Sequence, residues 1–265
     1  MAIPAPTKET PSITGRMADV LASEWTKVRS VRSTLWLLLI AAVTAVGGSA
    51  IVAISERSSN KPPPADAIVS VFLAWLEYPI LALGILGVLS LTSEYTTGQI
   101  RTTLAAVPQR VTLLAAKASI TGVIALTFGE ALAFGSFLLA EAIRTGHHGA
   151  TALSHPGVPG EVLTAGVSIF AIAILGLGLG AIIRNAAGAI AALPALLYLP
   201  LLVLTLPHPW NDTIGKFTLL LAAYQLVSEH THTGLLSRPL SLAVLIAWPA
   251  TALLIAAILI RKRDA

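Results

Sequence analysis

Six long apolar runs constrain the fold of this 265-residue chain more than any other feature. Each run approaches or exceeds the roughly 20 residues that an α-helix needs to cross the hydrocarbon core of a bilayer. Backbone polar groups in lipid must be satisfied within a helix or a closed barrel, and the runs lack barrel-like alternation. We therefore predict an all-α polytopic membrane protein with six transmembrane helices, at 34–55, 67–91, 111–143, 162–183, 186–206 and 240–260.

The distribution of basic residues predicts the orientation of the spans, because Lys and Arg favour short cytoplasmic loops. Twelve of the 17 Lys and Arg residues fall on the side that carries both termini, and five fall on the other side. We therefore expect both termini in the cytoplasm. This bias, together with anionic lipid headgroups, also accounts for the isoelectric point of about 9.6, so we predict no nucleic-acid partner.

The chain outside the spans is short, which predicts a single transmembrane domain over 1–265. Residues 1–15 contain three prolines and predict a disordered cytoplasmic tail, and 261–265 form a basic cytoplasmic tail after the 34–260 bundle. Between them, 16–33 predicts an amphipathic helix that leads into the first span, although a simple positive flank remains an alternative. Its apolar stripe consists of Met17, Val20, Leu21, Trp25, Val28 and Val31, with Glu24, Lys27 and Arg32 off the stripe.

The last outward connection, 206–239, contains an apolar run at 217–227 that is too short to span the membrane. We predict a helical segment that is re-entrant or lies at the outer interface. Five histidines lie in the outward segments, namely His147, His148, His155, His230 and His232. Their spacing is not that of a zinc protease, so we predict no metal site there.

The connection between the second and third spans, 92–109, is polar but patterned. Ile100, Leu104 and Val107 predict one apolar side of a short helix, with Gly98 allowing a break before it and Pro108 limiting its end. A short helix held between two spans would transmit a displacement to both, which suits docking to another protein. The alternative is an ordinary turn in which Arg101 and Arg110 only orient the spans.

Two segments resemble those of a known family. "SEWTKVRSVRSTLW" (23–36) and "EYTTGQIRTTLAAVPQRVTLLAAK" (94–117) are similar to the cytoplasmic segments of actinobacterial permease subunits of type 2 ATP-binding-cassette (ABC) transporters. The resemblance implies a connecting helix with Glu24, Trp25 and Lys27. It also implies an ATPase-coupling segment with Glu94, Tyr95, Gly98, Ile100, Arg101, Pro108 and Arg110. Lys117 matches the pattern too, whereas Gln99 replaces a small hydroxylated residue.

The resemblance implies an ABC exporter in the bacterial plasma membrane that works with a dimer of ATPase subunits and a second permease copy or paralogue. Apolar walls with few polar groups fit a small-molecule substrate that is a hydrophobic drug, natural product or lipid-like compound, and they fit the lipid-facing surface of any permease equally well. With such a substrate, the exporter would serve multidrug or antibiotic export and antibiotic resistance. The chain contains no G-x-x-x-x-G-K-[ST] phosphate loop, so we expect no enzyme activity and no cofactor on this chain, with ATP and Mg on the partner ATPase. Gly176 and Gly180 lie in an apolar helix and indicate close helix packing.

Two acidic residues within the spans, Glu77 and Glu130, leave a different function open. Intramembrane carboxylates are costly and usually mark a substrate pathway, a proton relay or a buried partner. The alternative function is therefore a proton- or ion-coupled secondary transporter that uses Glu77 and Glu130. A membrane-embedded enzyme is not favoured, because the spans offer no histidine and the chain has no cysteine.

Overall fold

A computed structural model of the chain describes residues 13–58, 67–106, 109–144, 157–207, 210–228 and 236–262. The first half contains α1 (Ile13–Ser30), α2 (Arg32–Ser58), α3 (Ala67–Thr96), α4 (Gln99–Ala106), α5 (Arg110–Arg144) and α6 (Val158–Ile183). The second half contains α7 (Ala186–Tyr198), a 3-10 helix (Leu199–Thr205), α8 (Trp210–Ile214), a 3-10 turn (Gly215–Phe217), α9 (Leu219–Val227) and α10 (Arg238–Lys262). The described residues include no strand, as predicted.

The six predicted spans are confirmed. Within the described residues, the helices long and apolar enough to cross a membrane are α2, α3, α5, α6, α7 with its 3-10 extension, and α10. The 35 residues of α5 measure about 52 Å at 1.5 Å per residue, so this helix extends beyond a core of about 30 Å. The amphipathic helix α1 begins at Ile13, three residues before its predicted start. Residues 1–12 and 263–265 of the predicted tails lie outside the described residues.

Polar contacts identify which helix termini share an end of the bundle. At one end, Lys117 near the start of α5 donates to the Ser90 carbonyl near the end of α3. At the same end, Arg110 donates to the carbonyl of Ile260 near the end of α10. We call this the α1 end, since α1 and α4 pack there. At the opposite end, Arg144 of α5 pairs with Glu56 of α2.

The bundle is centred on a very close contact between α3 and α6. A Cβ atom at Gly87 of α3 would overlap the Ala173 carbonyl of α6, and a Cβ at Gly176 would overlap the Gly84 carbonyl of α3. A Cβ at Gly180 would stand 2.8 Å from the Val88 carbonyl. Small residues thus allow the two backbones to touch, which confirms that the glycines of α6 serve helix packing.

The short helix α9 is re-entrant rather than interfacial. The indole Nε1 of Trp248 donates to the Phe217 carbonyl before α9, at 3.2 Å, and Nη2 of Arg238 donates to the Ser228 carbonyl after it, at 2.5 Å. The two donors are ten residues apart on α10, or about 15 Å, so α9 runs antiparallel to α10. Its first residue therefore lies level with the middle of α10, which favours the re-entrant prediction over the interfacial one.

Candidate functional site at the junction of α1, α3 and α5

Apolar side chains seat α1 and α4 on the bundle. Val20 of α1 packs with Ile100 of α4 and with Leu113 and Ala116 at the start of α5, and all four are buried. The half-buried ring of Tyr95, near the end of α3, closes the same cluster. Neither α1 nor α4 is therefore a free surface helix, and a displacement of either one must press on α5 and on the end of α3.

The buried face of α1 differs from the predicted stripe. Glu24, predicted to lie off the apolar face, is only 3% exposed, whereas Trp25, predicted to lie on it, is 43% exposed. The prediction failed because it assigned charged residues to the water-facing side. Glu24 follows Val20 by one helical turn, so the two share a face, and a buried ammonium on α5 satisfies the carboxylate.

That ammonium belongs to Lys117, whose side chain is 2% exposed. Its Nζ atom donates to Glu24 Oε2 at 2.6 Å, to Glu94 Oε1 at 2.8 Å and to the Ser90 carbonyl at 3.1 Å. A lysine ammonium has three N–H donors, so each one has an acceptor. A buried charge is tolerated only with such pairing, because moving an ion out of water into the protein costs on the order of several kcal/mol.

Lys27 completes the network from its outer side. Its Nζ lies 2.7 Å from Glu24 Oε1 and 2.7 Å from Glu94 Oε1. We call these four residues, Glu24, Lys27, Glu94 and Lys117, the junction network. It contains two carboxylates and two ammonium groups, so its charges balance. It joins α1 to the end of α3 and to the start of α5.

The protonation of Lys27 favours the folded state. Burial acts to lower the pKa of Lys27, but its contacts with Glu24 and Glu94 outweigh that effect and raise the pKa above 10.5. A raised pKa in the folded state means that the stabilisation is fully present below the ordinary pKa and is lost as the pH rises through the raised one. Lys27 therefore keeps its charge throughout the neutral range.

Two further contacts attach the base of α4 to the rest of the bundle. The Arg184 guanidinium after α6 lies 5.4 Å from the centre of the Tyr95 ring, within range of a cation–π interaction. Arg110 Nη1 donates to the Ile260 carbonyl at 3.1 Å. Tyr95 and Arg110 thus connect the segment before and after α4 to α6 and α10.

The helix α4 itself matches the predicted short helix. Gly98 precedes it with a φ of 72°, a left-handed conformation that favours glycine and allows the chain to turn out of α3. Ile100 is buried against α1, while Arg101 is exposed at the α1 end. Pro108 and Val107 lie outside the described residues. The result is a short helix with a buried Ile100 and an exposed Arg101.

The structure brings together four ionisable residues of the two segments quoted above. Glu24, Lys27 and Glu94 meet around Lys117, which the sequence showed only as a further matching position and a positive flank. Lys117 is the seventh residue of the apolar run 111–143, and a lysine at such a position needs a buried carboxylate partner. The sequence did not indicate which carboxylate this would be or which helix would carry it.

The intramembrane carboxylate of Glu130 does not join this network. Both carboxylate oxygens of Glu130 are buried and have no hydrogen-bond partner among the described residues. The group packs against Gly166 of α6, where a Cβ would overlap it. Glu77 lies within α3, and its side chain is outside the described set. Among the residues that the structure describes, no group of three or more acidic or histidine side chains could hold a metal ion. The predicted outward histidines lie outside those residues.

No protein-family model matches this sequence, and no curated protein matches it. The geometry therefore carries the interpretation. The geometry is that of a transporter-like multi-pass membrane protein, with six apolar helices and with α1 and α4 packed on one end of the bundle.

Proposed function

We propose that this chain is the membrane-spanning permease subunit of an ABC exporter in a bacterial plasma membrane, with the α1 end in the cytoplasm. The observation that carries the proposal is the junction network. It gathers Glu24, Lys27, Glu94 and Lys117 from the two segments that resemble the connecting and coupling regions of such permeases.

The proposed mechanism follows from the way α4 is held. Arg101 faces outward from α4, while Ile100 beneath it packs on α1 and α5. A partner that displaces α4 would therefore displace α1, the end of α3 and the start of α5 together, because buried side chains and the junction network join them. ATP binding would close the ATPase pair, move this unit, and change the access of the spans from one side to the other.

The energy source and the cargo belong to other molecules. The ATPase dimer would bind ATP and Mg, and this chain would catalyse no reaction. A second permease, either a copy or a paralogue, would complete the pathway. The proposed cargo is a hydrophobic drug, natural product or lipid-like molecule, which suits apolar spans with few polar groups.

A proton- or ion-coupled secondary transporter is the second candidate, and Glu130 favours it. A carboxylate at membrane depth without a hydrogen-bond partner among the described residues suits a group that exchanges protons. This reading predicts transport that depends on a proton gradient, survives ATP depletion, and is lost in Glu130→Gln.

The deciding experiment is co-purification of the full chain from its native membrane in mild detergent, followed by mass spectrometry of stoichiometric partners and an ATPase assay. Arg101→Glu is the test variant, since it reverses an exposed charge on α4 without touching the core. Arg57→Glu is the matched control, because Arg57 is exposed at the opposite end of the bundle.

We expect an ATPase to co-purify with the wild type and with Arg57→Glu, and to be reduced about tenfold or more with Arg101→Glu, since reversing an interface charge typically costs more than 1.4 kcal/mol. Equal insertion of all three proteins is checked by their membrane yield. Undiminished recovery of the ATPase with Arg101→Glu would contradict the docking role of α4. Absence of any ATPase after crosslinking would leave the secondary transporter as the better reading.

A further inference from the structure

A cleft of about 270 Å³ opens at the α1 end, beside the junction network. Its walls are the last turns of α1, the first turns of α2, the end of α3 and the start of α5. Pockets that enclose a drug-sized ligand usually measure about 300–1,000 Å³. The cleft therefore suits one part of a larger molecule better than a whole ligand.

The mouth of the cleft is rich in unused hydrogen-bond donors. The side chains of Ser33, Thr34, Ser93 and Gln99 line it and make no hydrogen bond to any described residue. Lys27 lines it as well and uses two of its three N–H donors for Glu24 and Glu94. Five side chains with an unused donor thus line one small space.

The ionisable side chains that line the cleft carry no net charge. Glu24 and Glu94 line it, and Oε2 of Glu94 has no hydrogen-bond partner among the described residues, but the two ammonium groups of the junction network balance both carboxylates. Arg29 and Arg32 are exposed on the chain that borders Ser33 and add positive potential around the opening. A phosphate is an acceptor-only group, and hydrogen bonds from cationic donors to it are about twice as strong as neutral ones.

The floor of the cleft is apolar, and its lining becomes less polar from the α1 end towards the interior of the membrane spans. Leu37 lies one turn beyond Ser33 on α2, Leu89 lies one turn before Ser93 on α3, and Ile120 lies one turn beyond Lys117 on α5. Each of these steps leads away from the α1 end and deeper into a membrane span. The cleft therefore has a polar, donor-rich level at the interface and an apolar seam beneath it.

We propose that this cleft binds a phospholipid of the adjoining leaflet, with the phosphate among Lys27, Ser33, Thr34 and Ser93 and an acyl chain along Leu37, Leu89 and Ile120. A free phosphate would satisfy the donors but would leave the apolar seam without an occupant. The bound lipid lies between α1 and α3 and stabilises the attachment of α1. The proposal rests on the membrane-spanning fold and does not depend on an ABC partner.

The test is native mass spectrometry of the purified full chain in detergent, titrated in separate arms with short-chain phosphatidylglycerol, the matching diacylglycerol and inorganic phosphate. We expect one phosphatidylglycerol to be retained per chain. The diacylglycerol should not be retained, and millimolar phosphate should not displace the phospholipid. Equal retention of the diacylglycerol would overturn the proposal, and so would displacement by phosphate alone, which would indicate a free-anion site.

Two variants link retention to this cleft. Ser33→Glu places a carboxylate at the mouth and should weaken phospholipid retention about tenfold or more through like-charge repulsion. Ser23→Glu is the matched control, since Ser23 is an exposed α1 residue outside the cleft, and it should retain the lipid like the wild type. Ser33→Ala removes one neutral donor at an exposed position and should weaken retention about fivefold.

Size-exclusion profiles and circular dichroism establish that each variant is folded. The mild Ser33→Ala variant keeps the test decisive if Ser33→Glu is lost to misfolding. If both variants fold and both retain the phospholipid like the wild type, the assignment of the lipid to this cleft is overturned. If Ser33→Glu does not fold, wild-type retention by Ser33→Ala alone overturns it. A loss in Ser23→Glu equal to that in Ser33→Glu would overturn it too, because general surface charge would then explain the effect.

Discussion

The Nζ atom of Lys117 and the Oε2 atom of Glu24 lie 2.6 Å apart, although the two residues are separated by 93 positions in the sequence. Both side chains are almost fully buried. The contact means that α1 is held to α5 by a charged pair, in addition to the apolar contacts of Val20. An interfacial helix held only by lipid would not need such a pair.

Replacing Lys117 with methionine should destabilise the fold strongly. Glu24 and Glu94 would keep Lys27 but lose their buried partner, and breaking a buried ion pair from one side costs about 3–5 kcal/mol. The measurement is thermal unfolding of the purified chain in detergent. Lys262→Met is the control, since Lys262 is exposed at the end of α10, and it should unfold like the wild type.

The double variant Lys117→Met with Glu24→Leu should recover part of this loss. It removes both charges of one pair, and such replacements are often neutral because the desolvation cost disappears with the charges. The two single effects should therefore be clearly non-additive in a double-mutant cycle. Additive losses would mean that the two residues act independently, contrary to the geometry.

The sequence predicted the spans and α4 well but did not predict this network. An apolar run of about 20 residues has few alternatives to a membrane helix, so composition alone determines it. The pairing of Glu24 with Lys117 depends on how three helices pack, and no local pattern reports that. The charge of Glu24 misdirected the prediction for α1, because it placed this residue on the solvent side although Glu24 shares a helix face with the buried Val20.

Adding one methyl group at Gly87 should disrupt the contact between α3 and α6. The Cβ would overlap the Ala173 carbonyl, a backbone atom that cannot move alone, and overpacking of this kind costs about 1–3 kcal/mol. Gly47→Ala is the matched control, because a Cβ at Gly47 in α2 meets nothing within 4 Å. Its higher helix propensity should leave the protein unchanged or stabilise it by up to about 1 kcal/mol.

Thermal unfolding in detergent again provides the comparison, with both glycine variants measured against the wild type in the same buffer. If Gly87→Ala were as stable as Gly47→Ala, α3 and α6 would have to lie farther apart than described.

The re-entrant position of α9 can be tested through Trp248. Trp248→Phe keeps the aromatic packing but removes the hydrogen bond to the Phe217 carbonyl, a loss of about 0.5–1.5 kcal/mol. Amide hydrogen exchange in α9 should become faster. Trp36→Phe is the control, since Trp36 is 62% exposed on α2 and should leave α9 unaffected. Unchanged exchange in Trp248→Phe would argue against an anchor at this depth.

The absence of cysteine from the chain allows the orientation to be measured with single substitutions. Thr97 is exposed at the α1 end, and Arg57 is exposed at the opposite end. In intact cells, a membrane-impermeant maleimide should label Arg57→Cys but should label Thr97→Cys only after permeabilisation. The reverse pattern would place the α1 end outside and contradict the positive-inside prediction.

The depth of α9 also lay beyond sequence reasoning. An apolar run of about ten residues fits a re-entrant segment and an interfacial one equally well. The choice depends on Trp248 and Arg238, two residues of another helix that hold the two ends of α9 at different depths.

The link between α6 and α7 consists only of Arg184 and Asn185, with Arg184 in a left-handed conformation and the Asn185 side chain capping α7. α6 is held against α3 by its glycines, and α7 buries Ala189, Leu193 and Leu197 against the bundle. Because the link is only two residues long, the angle between α6 and α7 is set at the α1 end. With its 3-10 extension α7 is about 33 Å long, so a change of about 10° in that angle would move its far tip by about 6 Å.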